Sequence, residues 1–200
     1  MTRVPRGEAR ARLIEAARSL VRHRGFAATS VDDLCAAAGV TKGAFFHHFA
    51  SKEALGVALV DDWTQMTGAM FAAHPYNLLP DPLDRVFGYL DLRRELLGQT
   101  LTDFSCVAGT TVQEVFESSP PIREAAGRSI RSGFAHVLPH LEQALAEHPV
   151  PGVTAESLAQ QFQVATQGGI ILAKALNDPA PARAAFDHLE RYLRLLFGRP

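Results

Sequence analysis

Prolines and glycines cut this chain into windows of helical length, and within the windows apolar residues recur every three to four positions. Leu13, Ile14, Ala17, Leu20 and Val21 form one such stripe, closed by His23-Arg24-Gly25, where two basic residues and a glycine suit a helix end. Thr29 and Ser30 each stand three residues before an aspartate, a capping-box-like start for a short helix carrying Val31, Leu34 and Ala38. Gly39 interrupts, Thr41 caps a third helix with Phe45 and Phe49 on one face, and Ser51 caps a fourth. That fourth helix carries Leu55, Leu59, Trp63, Met66 and Met70 and stops at Pro75. Helical windows follow near 82–98, 104–118, 122–147, 154–177 and 181–197, with Pro139 expected to kink or split the third of them. Strand-like alternation and internal repeats are not found. The expectation is an all-α chain of about nine helices.

With 47% hydrophobic and 20% charged residues, the composition is that of a globular protein with a sizeable core. Apolar runs such as 66–73 and 168–173 fall far short of the roughly 20 residues that span a bilayer. Leu13-Ile14 is flanked by Arg12 and Glu15, so the basic N-terminus lacks the apolar stretch of a secretory signal, and a cytoplasmic location is expected. Two cysteines, Cys35 and Cys106, fit a reducing compartment and provide neither a zinc spacing nor a disulfide framework. Charge is distributed unevenly. Residues 1–52 hold nine Lys or Arg against four Asp or Glu, a balance of +5 in a chain whose net charge is −1. A solvated basic helix face would account for this, and so would a surface that meets a polyanion.

The stretch from Val31 to Phe49 decides between them. A short helix, a glycine turn and a second short helix make a helix-turn-helix pattern. Cys35 falls where the two helices close on each other and reads as a small buried hydrophobe rather than a reactive thiol. Phe45 and Phe49 point inward, which leaves Lys42, Gly43, Phe46 and His47 on the opposite face. The missing side chain of Gly43 allows the backbone to approach a phosphate closely.

Phe26-Ala27-Ala28-Thr29-Ser30-Val31-Asp32-Asp33-Leu34, then Ala38-Gly39-Val40-Thr41-Lys42-Gly43-Ala44-Phe45-Phe46-His47-His48-Phe49 and Ser51-Lys52-Glu53-Ala54-Leu55, resemble the N-terminal DNA-binding domain of the tetracycline-repressor (TetR) family. The resemblance is dense from about Arg10 to Leu55. It implies phosphate contacts for Thr29, Thr41, His47 and Lys52, with Lys42, Gly43 and Phe46 facing the groove. The family pattern favours tyrosine at the position of Phe46; phenylalanine lacks the hydroxyl that would meet a phosphate. The resemblance further implies a DNA-binding domain over 1–52 and a helical ligand-binding and dimerisation domain over 53–200. Ser105-Cys106-Val107-Ala108-Gly109, Gln113-Glu114 and Pro121-Ile122-Arg123 are similar to a segment recurring in one subset of the family, in which glycine is usual where Ser105 stands.

In the last two helical windows Phe162, Ala165, Gly169 and Leu172, together with Leu189, Leu193 and Leu196, are candidates for a four-helix dimer interface about a two-fold axis; the same stripes also suit a core within one chain. Trp63, Met66, Phe87, Phe104, Cys106, Phe116 and Phe134 are candidates to line a pocket for an apolar effector, although a pocket and an ordinary core look alike in sequence. His136 and His140 have metal-ligand spacing, but no third ligand joins them, so neither metal nor cofactor is expected. No nucleophile elbow or zincin motif is present, and no enzymatic activity is expected. Two functions follow: a dimeric regulator, most simply a repressor released from a near-palindromic operator by a small molecule, or an all-helical small-molecule binder or enzyme without specific DNA binding.

Overall fold

The computed structural model describes residues 6–97, 100 and 105–199. Within them lie ten α-helices, one 3-10 turn and no strand: α1 (Arg6–Arg24), α2 (Val31–Ala38), α3 (Lys42–His48), α4 (Lys52–Ala73), the 3-10 turn Pro75–Leu78, α5 (Pro82–Glu95), α6 (Val107–Val115), α7 (Pro120–Ala135), α8 (Leu138–Glu147), α9 (Ala155–Leu176) and α10 (Ala180–Leu196). The helical window expected over 122–147 is two helices. Pro139 stands in the first turn of α8, where its missing N–H costs no intrahelical hydrogen bond. The same rule places Pro120 and Pro121 in the first turn of α7, two residues ahead of the expected start.

The chain forms two compact units, Met1–Gln65 with Cys106–Ser129 and Met66–Ser105 with Ile130–Pro200. Helices α4 and α7 each contribute to both. In the first unit α1 packs on α2, α3 and α6. Leu13, Ala17 and Val21 from α1, Leu34 from α2, Phe45 from α3, Leu55 and Leu59 from α4, Val107 from α6 and Ile122 from α7 are all buried. Each large side chain taken from water contributes roughly 1.5–3 kcal/mol, which outweighs any intrinsic helix preference of these short segments.

In the second unit α10 lies along α9, and α5 packs on α8 and α10. Its core holds Leu83, Val86, Tyr89 and Leu90 of α5, Val137 just before α8 and Leu141 within it, Leu158 and Phe162 of α9, and Phe186, Leu189 and Leu193 of α10. Arg94 joins α5 to α10 through Glu190 at 2.7 Å and Asp187 at 3.3 Å, and Arg199 pairs with Asp81 and Asp84. These partly exposed pairs orient the helices more than they stabilise them.

Helix α2 starts as its sequence expects. The Ser30 hydroxyl oxygen accepts from the Asp33 N–H at 3.1 Å, and the Asp33 carboxylate accepts from the Ser30 N–H at 2.9 Å and from the Ser30 hydroxyl at 2.7 Å. Arg24 adds an ion pair at 2.8 Å. These hydrogen bonds, led by the Ser30 hydroxyl, hold the Asp33 carboxyl at about 2. A carboxyl whose folded pKa lies below its unfolded one stabilises the fold above the unfolded value, and that contribution fades as pH falls through the folded value. The melting temperature of Asp33→Ala should therefore lie below wild type at neutral pH, with the gap closing between about pH 4 and pH 2. A gap that stays constant across acid melting curves would show that the charge on Asp33 contributes nothing to the cap.

Candidate nucleic-acid interface

Helix α3 takes its orientation from the turn before it and from two rings beneath it. Gly39 ends α2 with φ 65°, ψ 35°, a left-handed conformation that side chains with a Cβ rarely adopt. Its N–H donates to Ala36 O at 3.3 Å and the Val40 N–H to Cys35 O at 3.0 Å, so the chain reverses within a few residues. Thr41 then caps α3, its hydroxyl oxygen accepting from the Ala44 N–H at 3.1 Å, an interaction worth about 1 kcal/mol. Phe45 is fully buried and Phe49 nearly so, their ring centroids 5.8 Å apart. Cys35 is buried at the closure of the two helices, and burial pushes its thiol up, away from thiolate character.

With those rings turned inward, Thr41, Lys42, Gly43, Phe46 and His47 form one exposed strip. Phe46 is 55% exposed although it is adjacent to fully buried Phe45. Lys42 pairs with Asp32 of α2 at 2.8 Å, and the His47 and His48 rings meet edge to face at 5.0 Å. Two of the residues expected to contact phosphate, Thr29 and Lys52, lie off this strip. Thr29 is 1% exposed, and its hydroxyl donates to Gly25 O at 2.7 Å, closing the loop between α1 and α2. Lys52, in the first turn of α4, is half-buried: its Nζ donates to Ala27 O at 3.2 Å and lies 4.5 Å from the centroid of the Phe26 ring. Burial lowers its pKa, and Glu114 and Asp33 oppose that shift.

Sequence reasoning missed Glu114. From α6 its carboxylate accepts from the Ala27 N–H at 2.6 Å, while Lys52 holds the carbonyl of the same residue. The loop that leads into α2 is thus held at one residue by an acid from α6 and a base from α4. Ser119 adds a second tie, its hydroxyl donating to Glu53 at 2.5 Å.

The remaining expected site residues fall in both units. Of the pocket candidates, Trp63, Cys106 and Phe116 belong to the first unit, and Met66, Phe87 and Phe134 to the second; Phe104 lies outside the described residues. The Arg22 guanidinium sits 5.8 Å from the Trp63 ring, Arg194 sits 4.7 Å from the Phe87 ring, and Phe116 is 52% exposed. Cys106 is half-buried and caps α6, its Sγ accepting from the Gly109 N–H at 3.5 Å. Of the dimer candidates, Phe162, Leu189 and Leu193 are buried inside their own unit, and Gly169 packs against Ala182. Ala165 and Leu196 are half-buried, and Leu172 is exposed. The exposed large apolar side chains of α9 and α10 are Val164, Ile171, Leu172, Leu176, Tyr192 and Leu195, of which Leu172 is among the expected interface residues. No cluster of three metal-ligating residues occurs among the described residues, and none of their helices is long and apolar enough to cross a membrane.

Residues 13–59 match the family described as bacterial regulatory proteins, tetR family. Residues 82–188, more than half of the chain, match the C-terminal domain described as transcriptional regulator LmrA/YxaF-like. The chain is 27% identical to the HTH-type transcriptional repressor NemR of Escherichia coli K12 over 148 residues, 70% of this chain and 71% of the relative. It is 24% identical to the HTH-type transcriptional regulator EthR of Mycolicibacterium smegmatis over 212 aligned positions, 98% of this chain and 94% of the relative. The fold is similar to the crystal structure of E. coli NemR in its reduced form, with a TM-score of 0.76 at 25% identity, covering 92% of this chain and 96% of that one. A TetR-family regulator from Agrobacterium tumefaciens shares the fold at a TM-score of 0.81 and 24% identity, over 94% of this chain and 98% of that one. With a helix-turn-helix that leaves one face of α3 open and a match to the family in each half, this chain belongs to the TetR family of transcriptional regulators, a non-enzymatic family with an N-terminal domain for operator DNA and a C-terminal domain for effectors.

Proposed function

We propose that this chain is a repressor that binds a near-palindromic operator as a homodimer and leaves it when a small molecule with an apolar body occupies the C-terminal domain. The observation that carries the reading is the exposed strip Thr41, Lys42, Gly43, Phe46 and His47, held outward by buried Phe45 in a region of net charge +5. NemR of E. coli and Rv3405c of Mycobacterium tuberculosis, the latter 36% identical over 81 residues, are both named repressors. In this reading α3 enters the major groove, Lys42 and Phe46 meet base edges, and Lys52 meets a phosphate with the protons that Ala27 O leaves free. Release requires that the effector bind the DNA-free arrangement more tightly than the DNA-bound one.

Sequencing genomic fragments retained by the purified protein tests the reading directly, since recovery of no common sequence defeats it. On the recovered operator, Lys52→Ala should weaken specific and non-specific binding alike and reduce the salt slope by about 1 per subunit. Lys42→Ala or Phe46→Ala should instead change relative affinities among operator variants, by roughly 1–3 kcal/mol for each well-matched base that the side chain reads. A residue whose removal leaves the ranking of variants untouched does not read bases.

The exposed apolar side chains of α9 and α10 support the dimer. Val164, Gly168 and Ile171 follow helical spacing on α9, with Tyr192 and Leu195 on α10, so four helices from two subunits would bury them together. Leu195 is 78% exposed, and a charge there leaves the monomer core intact, whereas one at fully buried Leu193 would unfold it. Leu195→Glu should thus sediment as a folded monomer with much weaker operator binding. A stable dimer of wild-type affinity would move the interface to another face.

One observation favours a second mode of sensing: half-buried Cys106 caps α6, the helix whose Glu114 holds the loop before α2. Cys106→Ser separates the modes. Under reversible, non-covalent binding the variant still releases DNA with effector, and oxidants or electrophiles act on neither protein specifically. Release of wild type by low doses of such reagents, abolished in Cys106→Ser and retained in Cys35→Ser, would instead make the thiol the sensor.

A further inference from the structure

The second unit places a guanidinium among aromatic rings with no carboxylate paired to it among the described residues. Arg93 of α5 is half-buried, 4.7 Å from the Phe71 ring centroid and 5.1 Å from that of Tyr89. Its Nε and Nη2 donate to the Tyr89 hydroxyl oxygen at 2.9 and 2.6 Å, and Nη2 also donates to Gly133 O at 3.0 Å. The Tyr89 hydroxyl in turn donates to Gly133 O at 2.6 Å. Those bonds fix the plane of the guanidinium and occupy one side of it. Nη1 has no hydrogen-bond partner and Arg93 no ion-pair partner among the described residues. Neighbouring Arg94 is different, pairing with Asp91, Asp187 and Glu190.

The surroundings accommodate this arrangement at a cost. Gly133 lies inside α7, where glycine is less favourable than alanine. A Cβ there would overlap the Gln163 amide and come within 3.3 Å of Arg93 Nη2. Gln163 is itself buried, its amide donating to Ile130 O at 3.3 Å. His136 stacks on Phe71 with centroids 5.4 Å apart, and no hydrogen bond to its ring nitrogens occurs among the described residues. Burial first, and then the charge of Arg93, lower the pKa of His136, which leaves it a neutral imidazole able to donate or accept.

We propose that the second unit binds a monocarboxylic acid with a flat apolar body, its carboxylate paired with the free Nη1 of Arg93 and hydrogen-bonded to His136. The proposal rests on the effector-responsive reading above and gives the effector a chemical class. One guanidinium beside a neutral imidazole balances one negative charge, which favours a carboxylate over a phosphate. With Nε and Nη2 taken by Tyr89 and Gly133, the two N–H groups of Nη1 are left to meet a carboxylate through charge-assisted hydrogen bonds. Phe71, Tyr89 and His136 surround the charge with flat rings, which suits an aryl or arylalkenyl acid better than a sugar acid.

Calorimetry on the full chain tests this with benzoate, cinnamate and 2-naphthoate, each compared with its uncharged primary amide. At least one acid should bind wild type ten or more times more tightly than its amide. Arg93→Gln should remove that preference while leaving amide affinity and operator binding near wild type, and Arg93→Lys should keep part of it. Equal binding of acid and amide, no binding of any acid at millimolar concentration, or an acid preference that survives Arg93→Gln overturns the proposal. Should Arg93→Gln not fold, wild type and Arg93→Lys decide, and an acid preference equally strong in both counts against the assignment. Operator binding by wild type, measured separately, tests the repressor reading: its absence defeats that reading even if an acid binds, and its presence alongside acid-blind calorimetry defeats the acid assignment alone.

Discussion

Burial of the Phe45 ring is the constraint on which the exposed face of α3, proposed above to meet DNA, depends. Helix α3 has only seven residues, too few to be stable or to choose an orientation unaided. Its direction is imposed by Phe45 and Phe49 entering the core formed with α1 and α2, and by the left-handed Gly39 that lets α2 end so close to it. Phe46 follows Phe45 by one residue, about 100° round the helix, and stands outside the core that Phe45 and Phe49 enter. The exposed strip on α3 is the side opposite those two rings.

What was legible in the sequence was local. The Ser30–Asp33 cap, the Gly39 turn, the Thr41 cap and the inward pair Phe45 and Phe49 all arise within a few residues, where spacing carries the physics. Pro139 was legible as a breaker, and it separates α7 from α8. Contacts between distant segments were not. Thr29 looks in sequence like a free hydroxyl beside a cap, yet the loop folds over it and it turns to Gly25 O. Glu114 reaches Ala27 across 87 residues, and no periodicity announces a partner at that range.

The last two helices show a different limit. Apolar spacing along α9 and α10 identifies a packed stripe, and Phe162, Leu189 and Leu193 do form one, but inside their own unit. Each helix also carries a second, weaker apolar row that the first one hides in a periodicity count: Val164 and Ile171 on α9, Tyr192 and Leu195 on α10. Periodicity reports that a face is apolar and is silent on whether the same chain or another copy covers it. Arg93 was invisible for a related reason. In sequence it is one of two adjacent arginines at the end of an amphipathic helix, and only folding gives Arg94 three carboxylates and Arg93 none among the described residues.

The bare phenyl ring of Phe46 carries a consequence for the heat capacity of recognition. A tyrosine at that position divides its binding between a hydrogen bond to phosphate and the burial of its ring. Phenylalanine has only the ring, which is 55% exposed before any partner arrives. Covering apolar surface of this kind lowers the heat capacity of the complex and displaces water rather than condensed cations. If α3 lies against a groove as proposed, covering this side chain would add to affinity in a way that strengthens on warming from low temperature and is nearly indifferent to ionic strength, whereas a lysine on a phosphate would lose its contribution as salt rises.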